Sequence, residues 1–409
     1  MRGMRRCLMT LAQVSMVVSA GCSPARAPGD SDEASRYLFV WAGDPDPGDS
    51  DFLAVIDVDS TSASYRQVLA TVPVGFSSGA HHTEHVMHEG GRIFVNGFRS
   101  GRSWVINVSD PLAPFVEAAF ESRGPYTYPH SFERTPSGTV IATFQNRGEG
   151  NRQPGGLVEL DSLGGLIRAS DAADPTDPEL RPYSLAISPE LDRVASTTSD
   201  MRPEHVGRSV QVWSLSGLEL LHTVLLPLGP RGDEHLHPAE PRFLADGRTL
   251  IVNTFNCGLY LVPEVASDDP RAEHIYTFPR DAASDEECSL PIQFGRFWVQ
   301  TIDHTRSVVV LDLSDPVHPV QVDELEFGDR AVPHWISLEP SGNRIVLTGG
   351  GTLSGRVVML RIDPESGKLS VIEEFGDGEE LPGVSMNGDS WPHGASGPVR
   401  PHGAVFSRS

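Results

Sequence analysis

Pro129-His130-Ser131-Phe132-Glu133-Arg134-Thr135-Pro136-Ser137-Gly138-Thr139-Val140-Ile141-Ala142 decides how the rest of the chain is read. A histidine behind a proline is followed within eight residues by a Pro/Gly turn signal, and the turn by a short apolar, β-branched run. The pattern returns. His82 precedes Gly90 and Arg92-Ile-Phe-Val95. Tyr183, behind Pro182, precedes Pro189 and Arg193-Val-Ala-Ser196, and His334, behind Pro333, precedes Pro340, Gly342 and Arg344-Ile-Val-Leu347. Weaker copies are Pro238-Ala239 with Gly247, Pro291-Ile292, and Pro401-His402 near the end. Anchors at 82, 130, 183, 239, 292, 334 and 402 define seven units at intervals of 42 to 68 residues.

Units of about 50 residues built from short strands read as propeller blades, each a four-stranded sheet around a central channel. Only seven residues follow His402, enough for one strand. The rest of that blade comes from the N-terminal runs around 37–41, 52–58 and 67–74, so the two ends of the chain close the ring and leave no open sheet edge. The expected fold is all-β: a seven-bladed β-propeller over residues 37–409, closed between N- and C-terminal strands.

Composition narrows the function. The chain has 409 residues, 55 acidic against 32 basic side chains, and a net charge of −23. Nucleic acid, whose phosphates need a basic footprint, is excluded as a partner. The sole lysine, Lys368, sits in a turn, which removes Schiff-base chemistry and the phosphate-loop lysine. Gly75-Phe-Ser77-Ser-Gly79 matches a hydrolase elbow in letters, but no helical pattern follows it.

Residues 1–21 read as a signal peptide: Arg2, Arg5 and Arg6, then an apolar run from Leu8 to Ala20. Ser19-Ala20-Gly21-Cys22 resembles a lipoprotein box with Cys22 as the lipidated first mature residue; the rival cleavage site is Ala25-Arg26-Ala27. Residues 22–36 form a flexible tether. The expected location is the cell envelope or periplasm, with membrane contact only through a lipid anchor. Cys257 and Cys288 remain, either as a disulfide or as two small buried side chains. No oligomeric state is legible.

Four of the 15 histidines occupy anchors: His82, His130, His334 and His402. Equivalent positions in a propeller share one radius and height. Ring closure makes these blades consecutive, so the four imidazoles meet on one side of one funnel, with His81 adjacent. His235 and His237 lie beside the fourth anchor and are additional funnel candidates, with Glu240 just past them as a weak candidate for a catalytic base. Convergent neutral imidazoles bind copper, zinc, iron or nickel and suit magnesium and calcium poorly. The plainer alternative is a histidine per blade that only hydrogen-bonds a turn. His85 and His88 read as surface or supporting groups.

At these residues the chain resembles the selenium-binding protein / methanethiol oxidase family. Asp51-Phe-Leu-Ala-Val-Ile-Asp-Val-Asp59, Ala80-His81-His82, Pro129-His130-Ser131, Glu240-Pro-Arg-Phe243, Leu311-Asp-Leu-Ser-Asp-Pro316 and Pro401-His402-Gly403 carry the resemblance, in order, over nearly the whole mature chain. It implies a seven-bladed propeller and copper held by ligands drawn from His81, His82, His130 and His402. It also implies a reaction, methanethiol with O2 and water giving formaldehyde, hydrogen sulfide and hydrogen peroxide. Another transition metal in place of copper, or a metal- or ligand-binding propeller without turnover, is the alternative. The family's cysteine-containing stretch after the histidine pair is replaced here by Thr83-Glu84-His85-Val86-Met87-His88, so the resemblance does not extend to selenium binding.

Overall fold

The computed structural model describes residues 34–202, 205–280, 287–328 and 331–408. The signal peptide 1–21, Cys22 and tether residues 22–33 lie outside the described residues. Seven antiparallel sheets form a ring, with a two-stranded ribbon (Asn387–Gly388 with Gly397–Pro398) outside it, and each of the seven has a first strand that borders the channel: Ala80–Thr83, Tyr126–Arg134, Pro182–Ser188, Pro238–Phe243, Cys288–Phe294, Ala331–Leu338 and Arg400–Phe406. We number the blades one to seven in that order. Each first strand contacts the first strands of the blades on both sides, and blade seven returns to blade one, so the ring is closed.

Closure is made as the sequence predicts. Arg400–Phe406 pairs with Tyr37–Gly43 (Leu38 opposite Phe406, Phe39 opposite Val405), and Phe52–Asp57 and Val68–Pro73 complete that blade. Middle strands such as Leu250–Thr254, Ser209–Ser214 and Phe297–Ile302 are buried along their whole length. They are covered on both faces by neighbouring blades, which is why they read as continuous rather than alternating runs. Outer strands such as Val320–Glu326 keep one face in water and alternate. Trp41, Trp104, Trp213, Trp298 and Trp335 are among the largest fully buried side chains. Burying a large apolar side chain of this kind contributes about 2–3 kcal/mol.

One local device positions the site. In every first strand the ladder slips, so that two consecutive residues face one residue of the second strand. The bulged pairs are His81-His82, His130-Ser131, Tyr183-Ser184, Ala239-Glu240, Ser289-Leu290, His334-Trp335 and His402-Gly403. The residue facing each pair is Asn96, Thr143, Thr197, Asn253, Thr301, Thr348 and, in blade seven, Trp41. Six of these seven reach across to the next blade and donate to the carbonyl of its first bulge residue: Asn96 to His130 (3.1 Å), Thr143 to Tyr183 (2.5 Å), Thr197 to Ala239 (2.5 Å), Asn253 to Ser289 (2.8 Å), Thr301 to His334 (3.2 Å) and Thr348 to His402 (2.7 Å). Six of the seven hub positions are therefore held by the preceding blade.

The bulges correct two anchors. Blade one's register residue is His81, with His82 second in the same bulge. In blade five it is Ser289 rather than Ile292, which lies three residues beyond, past Pro291.

Candidate metal centre

The first bulge position carries histidine in four consecutive blades, six, seven, one and two: His334, His402, His81 and His130. His82 adds a fifth imidazole from the second position of blade one. The rings converge. His81 stacks on His82 at 4.0 Å between centroids, His81 lies 4.4 Å from His402 and 5.1 Å from His130, and His82 lies 4.5 Å from His130. His334 sits 4.7 Å from His402 at the outer edge of the group.

His81, His82 and His402 each offer a ligand nitrogen, all within 4.8 Å of one another. Four-coordinate metal–imidazole bonds of about 2.0–2.1 Å place ligand nitrogens roughly 3.3 Å apart, so small ring rotations complete such a set. Chemistry as well as distance favours a cation. His81 Nδ1, both nitrogens of His82, His130 Nε2 and His402 Nδ1 are buried without a hydrogen-bond partner. An unpaired buried polar atom costs on the order of 1–3 kcal/mol, which a ligand bond removes. Burial, reinforced by neighbouring imidazoles, holds His81, His82 and His402 well below the ordinary histidine range, and burial pushes His130 and His334 down to about 4. They are neutral at pH 7, the form that ligates metal.

Supporting contacts aim the rings. His130 Nδ1 lies 2.9 Å from the Tyr183 carbonyl, to which it donates, which leaves Nε2 as the lone pair facing the cluster. His334 Nδ1 contacts Ser289 Oγ at 3.0 Å. An open cleft of about 800 Å3 leads to the group, lined by His334, His402, Val332, Thr348, Arg99 and Arg400 among others.

Beside His82 lies a second set, buried except for the His85 side chain, which is 19% exposed. Trp335 meets His82 edge-on at 4.9 Å and stacks flat on His85 at 4.7 Å and 3°. His85 Nε2 is 3.5 Å from Glu240 Oε2, which also accepts from Ser184 Oγ and Arg242, each at 2.8 Å. Burial works against the charge of Glu240, but Arg242, His85 and Ser184 outweigh it and hold the carboxyl at about 2. His85 thus has a carboxylate partner that sequence did not reveal.

The structure does not bring His235 and His237 to the cluster. His237 takes a left-handed backbone conformation (φ 55°) at the end of the 229–236 turn, and that turn carries both side chains away. His235 sits by Arg208, Asp233 and Glu234, and His237 by Arg280 and Asp200. Cys257 and Cys288 form a disulfide with Cα atoms 4.9 Å apart, joining a blade-four hairpin to the first strand of blade five. Buried Asp51 accepts from Asp44 N, Ser78 N and Ser78 Oγ and so ties two loops beside the first blade together.

No family model matches the chain. A methanethiol oxidase of Hyphomicrobium sp is 22% identical over 343 residues, covering 76% of this chain and 75% of that protein. Among solved structures, a hypothetical selenium-binding protein from Sulfolobus tokodaii superposes with a TM-score of 0.72 at 16% identity, covering 92% of this chain and 94% of that one. A periplasmic gluconolactonase from Pseudomonas aeruginosa superposes at 0.61 with 13% identity, covering 90% and 98%. At such identities structural likeness speaks for the propeller alone. The curated relative adds a sequence match over 76% of the chain to the resemblance already carried by individual motifs.

Proposed function

We propose that this chain, which resembles the selenium-binding protein / methanethiol oxidase family in motifs, in sequence over 76% of its length and in fold, is an exported copper-dependent oxidase of a small thiol. The net reaction is methanethiol with O2 and water giving formaldehyde, hydrogen sulfide and hydrogen peroxide. The observation that carries this reading is the convergence of buried, neutral, partnerless imidazole nitrogens from blades seven, one and two. His81, His82, His130 and His402 are the ligand set, and His334 stands at the cleft.

Copper bound there would supply one-electron redox chemistry and a soft acceptor for thiol sulfur. The protein's own part is positional. His130, fixed by the Tyr183 carbonyl, presents one lone pair only. Thr348, bonded to the His402 carbonyl, and Asn96, bonded to that of His130, hold the bulges from which the rings project. The cleft admits a small thiol past His334, while packing around His82, 1% exposed, keeps bulk water from the inner face. Export rests on the N-terminal segment read as a lipoprotein signal, and the Cys257–Cys288 disulfide is at home in an oxidising compartment.

Metal analysis of the purified protein, combined with oxygen uptake on methanethiol, tests the proposal. About one copper per chain and thiol-dependent uptake are expected, with both lost on removing the metal and regained on restoring copper. Bound copper without uptake would leave a metal-binding propeller. Absence of any transition metal, with His130→Ala and His402→Ala changing nothing, would remove the metal centre altogether.

A further inference from the structure

The proposed reaction separates into two balanced halves. Methanethiol and O2 give thioformaldehyde and hydrogen peroxide, which is the redox half. Thioformaldehyde and water give formaldehyde and hydrogen sulfide, a hydration that transfers no electrons and needs a base. The ligand histidines cannot serve as that base while their lone pairs are engaged.

The second buried set supplies one. Glu240 is 0% exposed, and its Oε1 has no partner, although Oε2 is bonded three ways. His85 turns Nε2 toward this carboxylate, so its proton sits on Nε2 and the lone pair on Nδ1. That Nδ1 is buried and also partnerless. Stacking on Trp335 fixes the plane of the ring. The His85 and His82 ring centroids lie 6.5 Å apart, so this imidazole stands beside the ligand set without belonging to it. A carboxylate that sets the tautomer of an imidazole and leaves its other nitrogen unpaired is the arrangement of a general base.

We infer that His85, oriented by Glu240, is the base for the hydration half, an assignment that rests on the thiol-oxidase reading. His85 Nδ1 takes a proton from water as the oxygen adds to the thiocarbonyl carbon, and the C=S π pair moves to sulfur. The resulting hydroxymethanethiolate collapses: its C–S pair leaves with sulfur, the hydroxyl proton passes to sulfur, and formaldehyde and hydrosulfide are released. The His85 imidazolium then returns its proton to hydrosulfide as hydrogen sulfide. His85 is the catalytic residue and Glu240 its positioning residue, which replaces Glu240 as the base expected from sequence.

Copper-loaded wild type, His85→Ala and Glu240→Gln are compared for copper content, oxygen uptake and formaldehyde release on methanethiol. Both variants are expected to keep their copper and to release formaldehyde about 100-fold less per O2 consumed. Added imidazole restores release by His85→Ala and not by Glu240→Gln. In metal-free protein, 15N NMR is expected to show His85 protonated on Nε2, a preference lost in Glu240→Gln; this arm stands even where His85→Ala fails to fold. Equal formaldehyde per O2 in wild type and Glu240→Gln, or a wild-type His85 protonated on Nδ1, overturns the inference alone. No oxygen uptake by the wild type overturns the oxidase reading beneath it.

Discussion

Gly403 shows how closely the metal centre depends on single residues. A Cβ added there would lie 2.6 Å from the backbone nitrogen of Thr83, 2.9 Å from the His81 carbonyl oxygen and 3.0 Å from the His82 carbonyl carbon. All three are main-chain atoms of blade one, so no side chain can swing aside. Gly403→Ala has to push the closing strand away from blade one and His402 away from His81. We expect a loss of about 1–3 kcal/mol in stability and at least a tenfold loss in copper affinity, read from a thermal melt and a metal titration. A variant that melts lower yet binds copper as wild type does would show that the cluster tolerates this displacement. The histidine beside this glycine was legible as an anchor because it repeats, and His82 was set one place out because two adjacent histidines satisfy the same pattern. His235 and His237 misled for a related reason. Their nearness in sequence to the fourth anchor says nothing of the left-handed residue that turns the chain aside.

At the scale of the strand, the girdle of Asn and Thr side chains was not legible. Each member lies 12 to 15 residues past the first residue of its own blade's bulge and bonds to a strand of the next blade, so its partner is far off in sequence. Asn and Thr in β-runs are also too common to stand out. The girdle yields a paired expectation. Thr348→Val and Thr197→Val each leave a buried carbonyl unpaired in the following blade, His402 in one case and Ala239 in the other. Each should cost about 1–3 kcal/mol in denaturant unfolding. Only Thr348→Val should weaken copper binding, because only it loosens a strand that bears a ligand. Equal effects on copper would mean that the girdle acts on the ring as a whole.

At the scale of the whole molecule, ring closure joins stability to function. The fold was legible because seven imperfect copies of one pattern reinforce each other, and because a final anchor with one strand's worth of chain after it demands partners from the N-terminus. What lies at the seam was less visible. Ser35, near the end of the tether, is buried, donates its backbone N–H to Glu339 Oε1 at 2.7 Å and its hydroxyl to the Ser407 carbonyl at 2.6 Å. Arg344 donates to the carbonyls of Ser35 and Val58. Removing residues 400–409 is expected to abolish cooperative unfolding and cause aggregation through the bared edge of Tyr37–Gly43, whereas His402→Ala should lose copper and stay a monodisperse ring. Size-exclusion chromatography with circular dichroism distinguishes the two, and a truncated chain that still melts cooperatively would show that the seam is dispensable.

The bulges have a consequence for how such a wheel acquires new chemistry. Because each spoke sets two adjacent residues against one of its second strand, the seven bulges offer fourteen positions, and imidazoles fill only five. Ser131, Ser184, Ala239 and Leu290 occupy others, on backbone already paid out of register and steadied by an adjoining spoke. Exchanging those tenants alters what the hub can hold or transform without disturbing the sheets that carry it.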